Sequence, residues 1–399
     1  MRINKLALTN FRSYNSLELE LQPGVITFIG DNGSGKTNIA ESLIYLAFLS
    51  SHRVSNNVPL ISLGNQQAII RAEVQREDRT LQIDLEINAS KANRARINGN
   101  PTRSQREILG AIQIVYFSPE DLDLVRGEPG TRRDFLDRLL ITRTPRLAGV
   151  IADYERVVKQ RNALLKTRTS AAALAPWNEQ LIKLGAELTA ERIALIDALN
   201  PHVAYNYANL NEVKAASISY KCSTEGVTRD IGENITALTA RLDEVAYQEI
   251  ERGVSLIGPH RDDLHLQLGD FPAKGYASHG ESWSMAISLR IGSFNLLKSE
   301  NNYSTYDDLI ESLFLILKKV KLRNQIVKTI DYLMIDECQD LNEEQYVIVE
   351  LLEKSGLKNI FMVGDLDQSI YAWRGARPNL FLNFYKNNLY YLLIKLIQS

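Results

Sequence analysis

A phosphate-binding pattern stands near the amino end of the chain. Glycines let successive backbone N–H groups turn inward around phosphate oxygens, and a following helix N-terminus adds partial positive charge. The lysine of the pattern is expected to bridge the β- and γ-phosphates, and its final hydroxyl is expected to ligate Mg²⁺. The pattern predicts a site for ATP with Mg²⁺, the alternative being a glycine-rich turn with an incidental lysine. Eight residues match G-x-x-x-x-G-K-[ST] in full: Gly30, Asp31, Asn32, Gly33, Ser34, Gly35, Lys36 and Thr37.

Two acidic residues much further along the chain could complete such a site. The apolar stretch 332–335 is followed directly by Asp336 and Glu337. At the end of a strand, Asp336 would hold the Mg²⁺ shell and Glu337 would polarise the attacking water. The alternative is an ordinary strand that ends in two solvated acids.

The elements around the phosphate pattern are predicted from the spacing of apolar residues. Residues 25–30, VITFIG, form a short apolar run that predicts a fully buried strand. After the pattern, Ile39, Leu43, Ile44 and Ala47 recur at helical spacing. A strand before the loop and a helix after it are the context that a phosphate loop requires.

The rest of the first hundred residues has the pattern of a β-rich region. Leu17, Leu19 and Leu21 alternate with acidic residues, and the same period recurs at 81–87. Residues 68–74 are predicted to form the neighbouring strand. Asn98-Gly99 is typical of a tight hairpin turn.

The middle and the end of the chain differ in character. Residues 131–200 are rich in Arg, Leu and Ala with long helical periodicity, including a helix at 177–198, and so predict a helical arm. Residues 280–298 predict another helix. Beyond a polar junction at 298–308, three segments predict a strand, a helix and a strand: 332–336, 343–355 and 359–365.

Composition bounds the class of protein. The chain has 399 residues, 45% hydrophobic and 24% charged, with a net charge of −2, which excludes wholesale disorder, collagen and coiled-coil rods. The length allows two or three domains. The only cysteines are Cys222 and Cys338, so a disulfide framework is not expected and a reducing cytosol is. We expect neither a membrane span nor a signal peptide.

Because the net charge is close to zero, local clusters of basic residues are the only feature of the charge distribution that indicates binding to nucleic acid. Residues 131–168 carry ten cationic and four acidic side chains, a local charge of +6. Residues 91–106 add Lys91, Arg94, Arg96, Arg103 and Arg106. Such clusters suit sequence-independent phosphate contacts, although charge runs are often only solvated helix faces.

Several motifs, taken in order, resemble the RecF family of bacterial DNA replication and repair ATPases, which is related to the ABC-type heads of the SMC family. The resemblance covers residues 1 to about 297. Besides the phosphate pattern, the motifs are LTNFRSY (8–14), SHR (51–53), FSPEDLDLVRGEPGTRRDFLD (117–137), YERVVKQRNALLK (154–166), GPHRDD (258–263) and SHGESWSMAISLR (278–290).

The resemblance implies a shared ATP site between two protomers. In ABC-type heads a signature segment at a helix N-terminus faces the phosphate loop of the partner, and here that segment is SHGES. Ser278 and Gly280 would then contact the γ-phosphate. Glu281 stands where a neutral glutamine is more usual, and its carboxylate would repel a triphosphate. The alternative is an ordinary helix with Ser278 as its N-cap.

The last quarter of the chain departs from that family and resembles a UvrD/Rep-type DNA helicase. In such a helicase, Gln368 would sense the γ-phosphate, and Tyr371 and Trp373 would lie near the single-strand path, although core packing is an alternative for both aromatics. The helicase-like part has no second phosphate loop. The matching segments are TYDDLIESL (305–313), YLMIDECQDLNEEQ (332–345) and VGDLDQSIYAWRGARP (363–378).

Both families place an acidic-ended strand beside the strand of the phosphate loop. We therefore expect 332–336 to join the sheet of 25–30. The predicted fold is an α/β P-loop head of the ABC type with an antiparallel β subdomain and a helical arm. The predicted domains are the first part of the head (1–135), the arm (136–250), the signature region (251–299) and a helicase fragment supplying a Walker B-like strand (300–399).

The resemblance implies an ATP-dependent DNA-binding protein of replication, recombinational repair and the SOS response in the cytoplasm. It would bind duplex DNA and single-strand gaps, hydrolyse ATP slowly and form an ATP-dependent homodimer, with RecR- and RecO-like partners. Two alternatives remain. One is a truncated UvrD/Rep-type helicase fusion, and the other is a nucleotide-binding module with a defective hydrolysis site.

Overall fold

A computed structural model describes most of the chain. Its residues fall into two compact units, Met1–Leu297 and Lys298–Ser399, and each unit is described by itself. No helix among the described residues is both long and apolar enough to cross a membrane. The described residues are 2–22, 26–54, 56–76, 79–167, 170–211, 213–300, 313–328, 333–335, 343–357 and 359–362.

A six-stranded antiparallel sheet forms the amino-terminal part of the first unit. One face is apolar because alternate residues point inward, and the paired residues Leu6, Ala72 and Ile83 are all buried. The strand predictions at 17–21, 68–74 and 81–87 are confirmed. In the order β2-β1-β3-β4-β5-β6, the sheet contains β1 (Arg2–Phe11), β2 (Tyr14–Glu20), β3 (Gln67–Arg76), β4 (Arg79–Asn88), β5 (Arg94–Ile97) and β6 (Asn100–Pro101).

Local turn chemistry fixes the last hairpin of this sheet. Asn98 and Gly99 both have positive φ, 50° and 77°, which is the conformation that a two-residue turn of type I′ requires. Asparagine and glycine tolerate that conformation better than other residues. The predicted hairpin between β5 and β6 is therefore confirmed.

The helix after the phosphate pattern packs on the apolar face of this sheet. Helix α1 spans Lys36–Phe48 and buries Ile39, Ile44 and Tyr45 in the same hydrophobic cluster as the strands. The predicted helix is confirmed. Its position fixes the loop that precedes it against the sheet.

The predicted strand at 25–30 is wrong for the residues that the structure describes. Residues 26–30 belong to no sheet, and Ile29 is 92% exposed. An extended segment becomes a strand only when a neighbouring strand takes up its N–H and C=O groups. Within the first unit, the sheets of the described residues contain antiparallel pairs only.

Helices dominate the remainder of the first unit. The predicted helix at 177–198 is the centre of a helix of 40 residues that carries Pro176 and Pro201 inside it. A small antiparallel sheet follows, of β7 (Ala216–Lys221), β8 (Asp263–Leu268) and β9 (Phe271–Pro272). The helices of five residues or more in this part are α2 (Leu122–Arg126), α3 (Pro129–Arg143), α4 (Leu147–Lys166), α5 (Ala171–Leu210), α6 (Ile231–Arg252) and α7 (His279–Glu300).

One buried arginine joins the three long helices of the arm. Arg161 of α4 forms an ion pair with Glu249 of α6 at 2.5 Å, and the two side chains are 2% and 0% exposed. Its other nitrogens donate to Asn178 of α5 at 2.7 Å and to Ser255 at 2.8 Å. A buried charge is tolerated only when it is paired and hydrogen-bonded in this way.

The second unit contains the predicted strand, helix and strand. β10 (Leu333–Ile335) and β11 (Ile360–Met362) pair in parallel, and α9 (Glu343–Lys354) lies between them in the chain. Residues 313–318 and α8 (Val320–Val327) are also helical. β10 and β11 form a sheet of two strands. Within the first unit, residues 26–30 do not form the strand that 332–336 were expected to join.

Replacing Arg161 with Met tests how far the arm depends on its buried ion pair. The variant leaves the Glu249 carboxylate buried without a counter-charge, so we expect a loss of about 3–5 kcal/mol in the free energy of unfolding. Urea titration of the full chain measures it. Arg156→Met is the matched control, because Arg156 is 64% exposed and pairs with Asp153 on the same helix. Equal unfolding midpoints for the two variants would contradict the prediction.

Candidate phosphate-binding site

Two glycines give the phosphate loop its shape. Gly33 and Gly35 have φ of 84° and 98°, and Gly35 is the N-cap of α1. A Cβ on Gly35 would lie 2.7 Å from the Tyr14 hydroxyl and 2.9 Å from Ser13 Oγ. Both conformation and space therefore require glycine at position 35. All eight predicted residues, Gly30 to Thr37, lie together in this loop and the first turn of α1.

The Lys36 ammonium lies across the mouth of the loop. It donates to the carbonyl oxygens of Gly30 at 2.6 Å and Asp31 at 2.7 Å. Ser34 Oγ lies 3.4 Å from the same nitrogen. Residues 30–34 and Thr37 are exposed and Lys36 is half-buried, so a phosphate chain can approach the loop and the ammonium from solvent. The donor set fits a triphosphate: a lysine, the backbone amides of a glycine-rich loop, a helix N-terminus and an accessible hydroxyl for Mg²⁺.

The tip of the β1–β2 hairpin supports the loop from behind. Asn38 of α1 donates to Ser13 Oγ at 3.0 Å, and the Tyr14 hydroxyl donates to the Ser34 carbonyl at 3.4 Å. Arg12 in the turn has a φ of 54°. The LTNFRSY motif is thus a support for the phosphate loop, a role that its sequence alone did not indicate.

A buried carboxylate locks this hairpin to α1. Arg12 pairs with both oxygens of Glu41, at 2.8 and 2.6 Å, and Ser51 donates to Oε1 at 2.5 Å. Arg53 of the SHR motif approaches Glu41 Oε2 at 3.6 Å. Burial raises the pKa of Glu41, but the hydrogen bonds from Arg12 and Ser51 and the two positive charges outweigh it and lower the net pKa. Glu41 was missed because a single acid on a helix has no sequence signature.

The signature segment begins α7 with a capping box. The Ser278 N–H donates to Glu281 Oε2 at 2.8 Å, and the Glu281 N–H donates to Ser278 Oγ at 3.2 Å. Ser278 and Gly280 both lie in this first turn or its cap. Ser278 is therefore an N-cap, as the simpler alternative predicted, and N-capping leaves its hydroxyl proton available as a donor.

Two of the recognised motifs form one structural cluster. Arg132 pairs with both oxygens of Asp263 at 2.7 and 2.8 Å, and Arg133 donates to the Asp262 carbonyl at 2.9 Å. Asp137 pairs with Arg192 of α5 at 2.7 Å. RRDFLD and GPHRDD thus hold α3, α5 and β8 together, and their charged residues are structural.

The basic cluster at 131–168 is not a continuous cationic surface. Arg132, Arg138 and Arg161 are buried, and Arg146 pairs with Glu187. Counting charges along the chain overestimates the surface charge because distant acids neutralise these arginines in the fold. DNA binding therefore cannot be assigned to this stretch as a whole.

The second basic cluster lines a groove on the solvent-facing side of the six-stranded sheet. The groove has a volume of about 510 Å³ and is lined by Arg94, Arg96 and Arg103, but also by Asp84 and Glu86. Arg71 of β3 lies 4.0 Å from Asp84. The groove is consequently mixed in charge.

Three predicted site residues lie outside the described residues: Asp336, Glu337 and Gln368. Tyr371 and Trp373 also lie outside them. Their roles stay predictions from the sequence.

Two family models match the chain. Residues 1–226 match the AAA ATPase domain, and residues 274–388 match the UvrD/REP helicase N-terminal domain. The first match contains the phosphate loop, and the second contains the helicase-like motifs.

Curated relatives match the chain at high identity. The DNA replication and repair protein RecF of Streptomyces avermitilis is 48% identical over 313 residues, covering 76% of this chain and 84% of the relative. RecF of Rhodococcus erythropolis is 47% identical over 331 residues, covering 76% and 81%. A solved structure of the recombination mediator protein RecF-ATP has a TM-score of 0.71 at 21% identity, covering 92% of this chain and 94% of that one, and so shows the same fold.

The pH dependence of stability tests the Glu41 lock. Because its folded pKa is lowered, ionised Glu41 stabilises the fold above the unfolded-state pKa of about 4.3 and loses that effect as pH falls through the folded value. We expect Glu41→Gln to lower the free energy of unfolding by about 3 kcal/mol at neutral pH. In urea titrations, the difference from the parent should be constant between about pH 8 and pH 6 and shrink below about pH 4.

Glu20→Gln is the control for that experiment. Glu20 is 78% exposed and pairs with Lys5 on the sheet surface, so its loss should change stability by less than about 0.5 kcal/mol. If the difference in the free energy of unfolding between the parent and Glu41→Gln already shrinks at about pH 6, the pKa of Glu41 is not lowered in the fold.

Proposed function

Because the chain belongs to the RecF family of DNA replication and repair proteins, we propose that it binds ATP at Gly30–Thr37 and uses the nucleotide to control DNA binding. The observation that carries this proposal is the geometry of Lys36. Its ammonium lies in the loop, held by two carbonyl oxygens that a triphosphate can replace. Phosphate oxygens are stronger acceptors for an ammonium than neutral carbonyls.

Each group in the loop has a defined task toward the nucleotide. The amides of the loop and of the first turn of α1 would bind phosphate oxygens, Lys36 would bridge the β- and γ-phosphates, and Thr37 would ligate Mg²⁺. A bound Mg²⁺ would supply further neutralisation of the phosphate charge. The lock between Arg12 and Glu41 holds the supporting hairpin in place.

The second half of the site is proposed to come from a second copy of the chain. Ser278 and Gly280 stand at the beginning of a helix of 22 residues, where first-turn N–H groups lack intrahelical acceptors. Such a terminus favours an anion. ATP would then stabilise a homodimer, with each signature segment facing the phosphate loop of the partner.

DNA is the proposed macromolecular partner, in keeping with the function of the family in replication and repair. The solved RecF structures are described as belonging to the RecFOR pathway, so RecR- and RecO-like proteins are proposed partners too. We place this function in the cytoplasm. The helicase alternative is not favoured, because its model matches residues 274–388 whereas the RecF relatives match about three quarters of the chain.

Lys36→Ala tests the nucleotide site. Loss of the ammonium removes the charge-assisted contact with the β- and γ-phosphates, so ATP affinity should fall by about a hundredfold or more. Calorimetric titration of the full chain measures it, with Lys5→Ala as the control, since Lys5 lies on the sheet surface in β1. Duplex DNA should stimulate ATP turnover by the parent and not by Lys36→Ala. Unchanged ATP affinity would overturn the proposal, and displacement of a partner strand would favour the helicase alternative.

Asp336→Asn tests the predicted Walker B-like residue. If Asp336 holds the Mg²⁺ shell and Glu337 activates water, the variant should bind ATP nearly as tightly as the parent but hydrolyse it at least about tenfold more slowly. Steady-state release of phosphate measures the rate. The control is Glu350→Gln, which removes an acid that pairs with Lys354 on α9. Equal rates for parent and Asp336→Asn would mean that another group holds the metal.

A further inference from the structure

The first turn of α7 carries a negative charge at the place where the proposed function needs to receive a triphosphate. Glu281 is the third residue of the helix, and its carboxylate caps the Ser278 N–H at 2.8 Å. A bare carboxylate beside a phosphate chain would repel it. The structure must therefore neutralise Glu281 or exclude the nucleotide.

A lysine from a distant part of the chain neutralises this carboxylate. Lys214 Nζ donates to Glu281 Oε1 at 2.6 Å, while the other oxygen, Oε2, accepts from Ser278. The hydrogen bond from Lys214 is the largest cause that lowers the pKa of Glu281 to about 2, followed by those from Ser278. The Glu281 carboxylate is therefore ionised at neutral pH.

The backbone next to Lys214 is held by the small antiparallel sheet. Lys214 stands two residues before β7, and the carbonyl of Ala215 accepts from the Gly269 N–H at 2.8 Å, which continues the β7–β8 ladder. The small sheet thus presents the ammonium to the first turn of α7. The Glu281 side chain is 16% exposed and that of Lys214 41%, so the positive group is the more accessible of the two.

We propose that Lys214 is a positioning residue of the signature segment, which makes Glu281 electrically equivalent to a neutral glutamine and holds its carboxylate on the Ser278 cap. The inference rests on the proposed function, in which Ser278 and Gly280 face the nucleotide of a partner protomer. Without Lys214, the carboxylate keeps its charge and opposes the γ-phosphate across the dimer.

A double-mutant cycle on the full chain tests this role. The variants are Lys214→Met, Glu281→Gln and the two combined, and the readout is the dimer dissociation constant with Mg²⁺-ATP, from sedimentation velocity. We expect Lys214→Met to weaken association about tenfold, since it leaves one uncompensated charge near the phosphates. Glu281→Gln should associate at least as tightly as the parent, and the double variant should match Glu281→Gln within about twofold.

The control is Lys5→Met, which removes another surface lysine from an ion pair and should leave association unchanged. Thermal unfolding checks that all variants remain folded. The role of Lys214 is overturned if Lys214→Met associates as tightly as the parent. It is also overturned if the double variant associates as weakly as Lys214→Met. If neither the parent nor Glu281→Gln associates with ATP, the proposed dimer fails as well. If only Glu281→Gln associates, the dimer stands and compensation by Lys214 is wrong.

Discussion

The proposed phosphate site of the first unit depends on a single ammonium group at the N-terminus of α1. Lys36 is held by the carbonyls of Gly30 and Asp31, which a phosphate chain bound in the loop would replace. Charge-assisted hydrogen bonds of this kind are about twice as strong as neutral ones. The surrounding residues hold this loop in place at the start of the helix that follows it.

That support comes from the tip of the β1–β2 hairpin of the six-stranded sheet. Ser13 and Tyr14 leave no room for a side chain at Gly35, and Arg12 binds the buried carboxylate of Glu41 on α1. The sheet, the hairpin tip and the helix are therefore joined to one another next to the loop. The arm is held separately, by Arg161 with Glu249 and by the paired charges of the RRDFLD and GPHRDD motifs.

Patterns that depend on local spacing predicted the fold well. Alternation predicted β2 and β4, and β3 was predicted as the neighbour of β4. The Asn98-Gly99 pair predicted the last hairpin, and helical spacing after Lys36 predicted α1. The strand at 25–30 failed, because a strand exists only with a neighbour and local hydrophobicity does not supply one.

Long-range pairing explains what the sequence could not reveal about the site. The arginines at 132, 138 and 161 were counted as surface charge, whereas distant partners bury them. Glu281 was expected to repel the nucleotide, and its partner Lys214 lies 67 residues earlier in the chain. In each case, the decisive contact joins residues that no local pattern connects.

The most direct measurement is a crystal structure of the full chain grown with Mg²⁺ and a non-hydrolysable ATP analogue. The predicted result is a triphosphate in the loop, with Lys36 Nζ moved from the carbonyls of Gly30 and Asp31 onto the β- and γ-phosphates. A nucleotide bound elsewhere, with Lys36 still on those two carbonyls, would contradict the central role given to this lysine.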